Sequence, residues 1–103
     1  MIYRLRMYKA VPENLPAFHE FFRDYLLPIQ LRHGARLVGR WETDDHRVVA
    51  VWEYDDRDSY ERIEAAVRAD PASDDAQTYR ATIGTLFSER EEIFMRSTIG
   101  ASR

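Results

Sequence analysis

The chain contains no cysteine, which excludes disulfides, zinc–thiolate sites, iron–sulfur clusters and thiol nucleophiles. Lysine is nearly missing as well. Lys9 stands alone among 15 basic residues, and the others are arginine, whose planar fork suits carboxylates and phosphates. There is no excess of positive charge: the net charge is −3 and the pI is near 5.6, which argues against broad electrostatic binding to nucleic acid. Apolar runs such as Arg47–Trp52 are far too short to span a bilayer. No Gly-rich phosphate loop, nucleophile elbow or Walker pattern occurs, and Ser59, Ser73, Ser88, Ser97 and Ser102 have no histidine beside them. Covalent catalysis therefore has no visible apparatus. Ile2 and Tyr3 already read as strand, leaving no room for a signal or transit peptide, so a cytoplasmic location is expected.

What is present is the composition of one folded domain: 103 residues, 45% hydrophobic and 32% charged. Ile2–Tyr8 alternates, with Tyr3, Leu5 and Met7 on one face and Arg4, Arg6 and Tyr8 on the other, as a strand does. Leu15, Phe18, Phe22, Leu26 and Ile29 recur at helical spacing. Pro28 should kink that helix, and His33-Gly34 should close it. Arg36–Thr43 and Arg47–Tyr54 read as an antiparallel hairpin around Asp44-Asp45-His46. A helix bearing Tyr60, Ile63 and Val67 should follow the capping residues Asp55–Asp58 and stop at Asp70-Pro71. Ser73–Asp75 could cap a further helix through Tyr79, Ile83 and Leu86, and Glu89–Ser97 reads as the last strand. The order β-α-β-β-α-(α)-β, joined by right-handed crossovers, predicts an α+β ferredoxin-like fold: a four-stranded antiparallel sheet with helices on one face. The expected boundaries are a single domain over 1–98 and a flexible tail over 99–103.

Helices on one face leave the other face of the sheet bare. Hydropathy places Tyr3, Leu5, Met7, Val49 and Val51 under the helices, and sets Arg4, Arg6, Tyr8, Trp52 and Tyr54 on the open side. Arginines beside aromatics make a poor dry core, but they can line a cavity in which rings give contact area and guanidinium groups orient a flat, aromatic or anionic ligand. A second copy laid sheet against sheet would cover them, and two-fold pairing is the commonest oligomer symmetry. Arg4, Arg6, Tyr8, Trp52 and Tyr54 are thus the candidate ligand-binding residues. A ligand-free polar-aromatic dimer interface is the competing reading of the same set, and Trp52 packed under the helices with the arginines in solvent is a third.

Other constellations carry less. His19, His33 and His46 are the only histidines and form no helical His-x-x-x-His pair, so no metal site is expected. His19, beside Phe18, leaves open a general base or a haem ligand against a structural role. Asp44-Asp45, Asp55-Asp56 and Asp74-Asp75 fall at turns and helix starts, where capping explains them. Glu42 and Glu53 lie on strands, where a salt bridge to an arginine is the first reading.

Several segments, in this order, resemble a NIPSNAP-type domain of the dimeric α/β-barrel superfamily. They are Ile2-Tyr3-Arg4-Leu5-Arg6-Met7-Tyr8, Leu27-Pro28-Ile29 with His33-Gly34, Leu37-Val38-Gly39 with Trp41, Val51-Trp52-Glu53-Tyr54-Asp55, and Ala69-Asp70-Pro71. The resemblance covers nearly the whole chain and implies a ferredoxin-like fold whose protomers pair into a barrel. It implies no agreed activity, since superfamily relatives include cofactor-free monooxygenases, haem-degrading enzymes, isomerases and dehydratases. Two positions depart from the family pattern: Arg4 stands where an acidic residue is frequent, and Pro71 is not followed by the frequent tryptophan. The expectation is a cytoplasmic homodimer, without nucleic-acid or membrane partners and without a cofactor, whose small-molecule cavity lies between the two sheets. Such a chain is a binding protein or a cofactor-independent enzyme, monooxygenase- or isomerase-like. A non-catalytic interaction or scaffold module is the alternative, and a haem- or flavin-using enzyme a further one.

Overall fold

The computed structural model describes residues 1–99; residues 100–103 of the expected tail lie outside the described residues. Strand β1 (Ile2–Ala10) leads through a 3₁₀ turn (Pro12–Asn14) into α1 (Leu15–Phe21). A π-helical segment (Phe22–Leu26) joins α1 to α2 (Leu27–Arg32). The hairpin β2 (Arg36–Glu42) and β3 (Arg47–Tyr54) follows, then α3 (Arg57–Ala69), α4 (Pro71–Arg80) and β4 (Phe87–Met95). The sheet is antiparallel throughout, with strand order β2-β3-β1-β4. This is the ferredoxin-like α+β fold. Among the described residues, no helix is long and apolar enough to cross a membrane.

Local chemistry accounts for most of the boundaries. Pro28 cannot donate a backbone bond and crowds the preceding turn. The chain answers with a π turn, in which the Leu27 amide reaches back to the Phe22 carbonyl. Gly34, at φ 100°, turns the chain out of α2 in a conformation that side chains resist. Asp56 caps α3 by accepting from the Ser59 amide at 2.7 Å. α4 begins earlier than its acidic triplet suggests. Asp70 is its N-cap, bonded to the Ala72 amide at 2.9 Å, and Pro71 fills its first position. It also ends early, at Arg80, so Ile83 and the fully buried Leu86 sit in the connection to β4, which turns at Gly84 (φ 85°).

Asp70 also holds His33 Nε2 at 2.8 Å and Arg32 Nε at 3.1 Å, tying α2 to the start of α4. The Ala72 amide, His33 and Arg32 keep its carboxyl below the ordinary range. A depressed carboxylate stabilises the fold above its unfolded pKa of about 3.9, and that contribution fades as pH falls through the lower folded value. Wild type should therefore lose stability in acid more steeply than Asp70→Asn, which keeps the cap but not the charge. Denaturant titrations at pH 6 and pH 3 check this, and parallel slopes would contradict it.

The alternation of β1 and β3 is as the sequence suggests, but the two faces are exchanged. Val48, Ala50, Trp52, Tyr54 and Arg4 are buried beneath the helices. Trp52 packs on Phe22 (6.1 Å between centroids), Tyr54 on Tyr60 (5.1 Å) and Tyr8 on Phe18 (5.4 Å). Tyr3, Leu5, Met7, Val49 and Val51 face the open side and are only partly covered. Hydropathy misleads here because α3 and β4 bring partners that tame arginine. Arg4 lies over the Tyr60 ring (5.1 Å) and is paired with Glu92 and, at 3.8 Å, Glu64. Burial works against its charge, but the hydrogen bond to Glu92 and the fields of Tyr60 and Glu64 more than offset this, and its pKa is raised.

Candidate functional site

Between the sheet and the first helices lies a cavity of about 190 Å³. Its walls are aromatic: Tyr8, Phe18, Phe21, Phe22, Trp52 and Phe87. Its polar lining is cationic. Arg4, Arg6, Arg40, Arg80 and Arg90 all reach it, Gln30 adds an amide, and no carboxylate lines it. The volume is on the order of the roughly 150 Å³ that admits benzene in an engineered protein cavity. A site of this kind accepts a compact, flat body and strongly favours an anionic end.

Each wall has a structural origin. Four-residue steps along an α-helix drift by about 40° each, at 3.6 residues per turn. Phe18, Phe22, Leu26 and Gln30 nevertheless all reach the cavity, because the π segment between them absorbs extra chain in a wider turn. Arg40 owes its place to a bulge in β2. Leu37 pairs with Trp52, but Gly39, not Val38, pairs with Val51, and Arg40 faces Ala50. The extra residue, Val38, is exposed. One inserted residue inverts the alternation, so Arg40 points under the helices instead of away from them.

Arg40 is held with care. Its guanidinium lies over the rings of Phe22 (4.3 Å) and Phe18 (5.0 Å). Its Nη1 donates to His19 Nδ1 at 2.8 Å, and His19 Nε2 meets Glu42 Oε1, also at 2.8 Å. Accepting at Nδ1 leaves the imidazole proton on Nε2, where it is donated to Glu42. Burial pushes the Arg40 pKa down to about 10, with Tyr8 and Glu42 pulling weakly the other way. Its other terminal nitrogen, Nη2, is buried without a hydrogen-bond partner, and so are Gln30 Oε1 and Arg6 Nε, the last standing 4.0 Å from Glu92 Oε2. All three residues line this cavity. Buried donors and acceptors in proteins are nearly always bonded, to protein or to ordered water, so a cluster of orphans around one void marks polar positions that solvent or a ligand would fill.

Of the five sequence candidates, Arg4, Arg6, Tyr8 and Trp52 line this cavity and Tyr54 does not. Tyr54 is buried beside Arg4 and Tyr60, with its hydroxyl pKa raised by burial, and borders a second depression with Arg36, Ser59 and Arg62. These residues lie between sheet and helices within one protomer, on the opposite face of the sheet from the one expected. Sequence reasoning missed Arg40, Gln30, Arg80 and Arg90. For Arg40 the one usable signal is the Val38-Gly39 step, where a glycine in a strand marks a bulge. His19 supports Arg40. Glu53 forms the expected salt bridge on the open face, with Arg36 at 2.9 Å and with Tyr3 donating at 3.1 Å. No cluster of three or more histidine and carboxylate groups that could hold a metal is found among the described residues.

Comparison with known proteins agrees with this architecture. No curated protein matches the chain. An uncharacterised NIPSNAP domain protein from Burkholderia xenovorans superposes with a TM-score of 0.85 at 24% identity, covering 100% of both chains. A NIPSNAP family protein from Agrobacterium tumefaciens gives 0.81 at 18% identity, over 99% of this chain and 98% of that one. A Nitrosomonas europaea protein, described as a candidate antibiotic biosynthesis monooxygenase, gives 0.67 at 15% identity, over 95% and 99% of the two chains. Identities this low show a shared fold and nothing more. The NIPSNAP family model matches residues 3–99, and the chain accordingly belongs to the NIPSNAP family.

Proposed function

We propose that this chain binds a compact organic anion, a carboxylate on a flat or aromatic body, in the cavity between its sheet and its helices. The observation that carries the reading is the lining: five arginines and no carboxylate among aromatic walls, with Arg40 Nη2 and Arg6 Nε lacking a hydrogen-bond partner, although Arg6 Nε stands 4.0 Å from Glu92 Oε2. An anion would satisfy both donors at once. Rings such as Phe22 and Trp52 would hold the apolar body.

In the same reading the chain works as a cytoplasmic homodimer, residues 1–98 forming the domain. Leu5, Met7, Val49, Val51 and Ile93 leave the open sheet face aliphatic, and Trp41 adds a half-exposed indole. Such a face favours a second copy, as does the likeness to dimeric α/β barrels. Where the bound molecule reacts, the arrangement suits cofactor-independent chemistry of the monooxygenase or isomerase kind. Arg6 and Arg40 would stabilise negative charge developing on a phenolate or enolate.

Calorimetric titration with benzoate tests the binding reading. Wild type should bind, and Arg6→Ala should weaken binding by about tenfold, the worth of one charge-assisted hydrogen bond, without altering the mass measured by light scattering. Unchanged affinity in Arg6→Ala would contradict it, and a wild type blind to benzoate and other small aromatic acids would favour the interaction-module reading.

A further inference from the structure

Among the buried polar atoms left without a hydrogen bond around the cavity, two are donors and one is an acceptor. Arg6 Nε and Arg40 Nη2 are donors; Gln30 Oε1 is the acceptor. The anion reading accounts for the donors and leaves Gln30 unexplained, because a carboxylate carries no proton to give it. Nor does stability explain a glutamine here. Gln30 lies on α2, one residue after the buried Ile29, with Leu26 and Phe22 among its neighbours on the cavity wall. Its backbone carbonyl is already used by His33 and Ala35, at 3.2 and 3.0 Å, so the side chain does no capping work. A leucine or methionine at this position would fill apolar space without stranding a carbonyl oxygen.

We infer that Gln30 is a specificity residue, and that the ligand is an organic acid carrying a separate hydrogen-bond donor, a hydroxyl on its ring or body, aimed at Gln30 Oε1. Two donors and one acceptor on the protein are complemented by two acceptor oxygens and one O–H on the ligand. Discrimination follows from the orphan itself. A ligand that lacks the donor drives water away from Gln30 and gives nothing back, whereas a hydroxy acid restores the bond; sites built this way reject the deoxy analogue far better than apolar pockets reject a missing methylene. This inference rests on the anion-binding reading and refines it.

The test compares wild-type affinities, by calorimetry, for benzoate, for 2-, 3- and 4-hydroxybenzoate and for the matching fluorobenzoates. Fluorine occupies similar space but cannot donate. At one ring position the hydroxy acid should bind about tenfold more tightly than its fluoro partner. Gln30→Met, closest in shape, should erase that preference and bind benzoate more tightly than wild type does, because no carbonyl is left stranded. Equal binding of every hydroxy and fluoro pair, or a hydroxyl preference that survives in Gln30→Met, overturns the role of Gln30 and leaves the anion reading standing. Failure of all these acids to bind overturns both.

Discussion

Replacing Arg40 with methionine should weaken benzoate binding by more than about 100-fold and, in the same protein, raise the unfolding temperature by a few degrees. The two effects share one cause. Arg40 carries its charge under the helices with one acceptor, His19, and one terminal nitrogen unpaired. Burial lowers its pKa to about 10. A basic group whose pKa is lowered by folding binds its proton less well in the native state. The unfavourable contribution is therefore complete at every pH below about 10, and it fades only as pH climbs from there into the ordinary arginine range. At pH 7 wild type bears all of it. Methionine fills comparable space without charge, keeps contact with Phe18 and Phe22, and leaves His19 near enough to solvent to be hydrated. The same charge is the strongest available partner for a carboxylate. Stability surrendered for binding has this signature, with affinity and melting temperature moving in opposite directions. If both fall, Arg40 is a structural residue; if affinity holds, the anion sits elsewhere.

Leu5→Asp should abolish the proposed pairing and leave a monomer at micromolar concentration. Leu5 lies on the central strand β1 and on the open face, with Val51 of β3 on one side and Ile93 of β4 on the other. In a lone chain this position is only half-buried, so an aspartate can reach water and the fold survives. In a two-fold pair the same change buries two like charges in an apolar contact, and several kcal/mol for each uncompensated ion amounts to a loss of at least about 1,000-fold in dimer affinity. Ile93→Asp, at a position 48% exposed in the single chain, provides the same readout at a site still less able to disturb folding. Light scattering and circular dichroism decide it: folded monomers are expected, and folded dimers of both variants would remove the open face from the interface.

Element order, the hairpin and the final strand are legible in the sequence because each rests on local signals: alternation, a helical stripe, capping aspartates, and proline and glycine at the ends of helices. Which face of the sheet is roofed is not local. Valine and leucine outrank arginine and tyrosine on any hydropathy scale, so β1 and β3 read as if turned over. The rings and carboxylates that allow arginine to be covered, Tyr60, Glu64 and Glu92, arrive from α3 and β4, some 50 to 90 residues further along the chain. Arg4, Arg6, Tyr8 and Trp52 stand out even so, because charged and aromatic residues interleaved on one strand face are chemically conspicuous whichever way they point. Arg40 and Gln30 escape notice because their aim depends on two irregularities, the bulge at Val38 and the π turn ahead of Pro28. Each shifts a side chain by one register, and periodicity cannot see either.

The central claim is that this cavity is an anion site formed by Arg6 and Arg40. A crystal structure of the protein grown with benzoate, at a concentration well above the solution dissociation constant, tests it most directly. The account predicts carboxylate oxygens within hydrogen-bond distance of Arg6 Nε and Arg40 Nη2, with the ring lodged against Phe22 and Trp52. A cavity that stays empty, or benzoate bound at any other place on the protein, would contradict it.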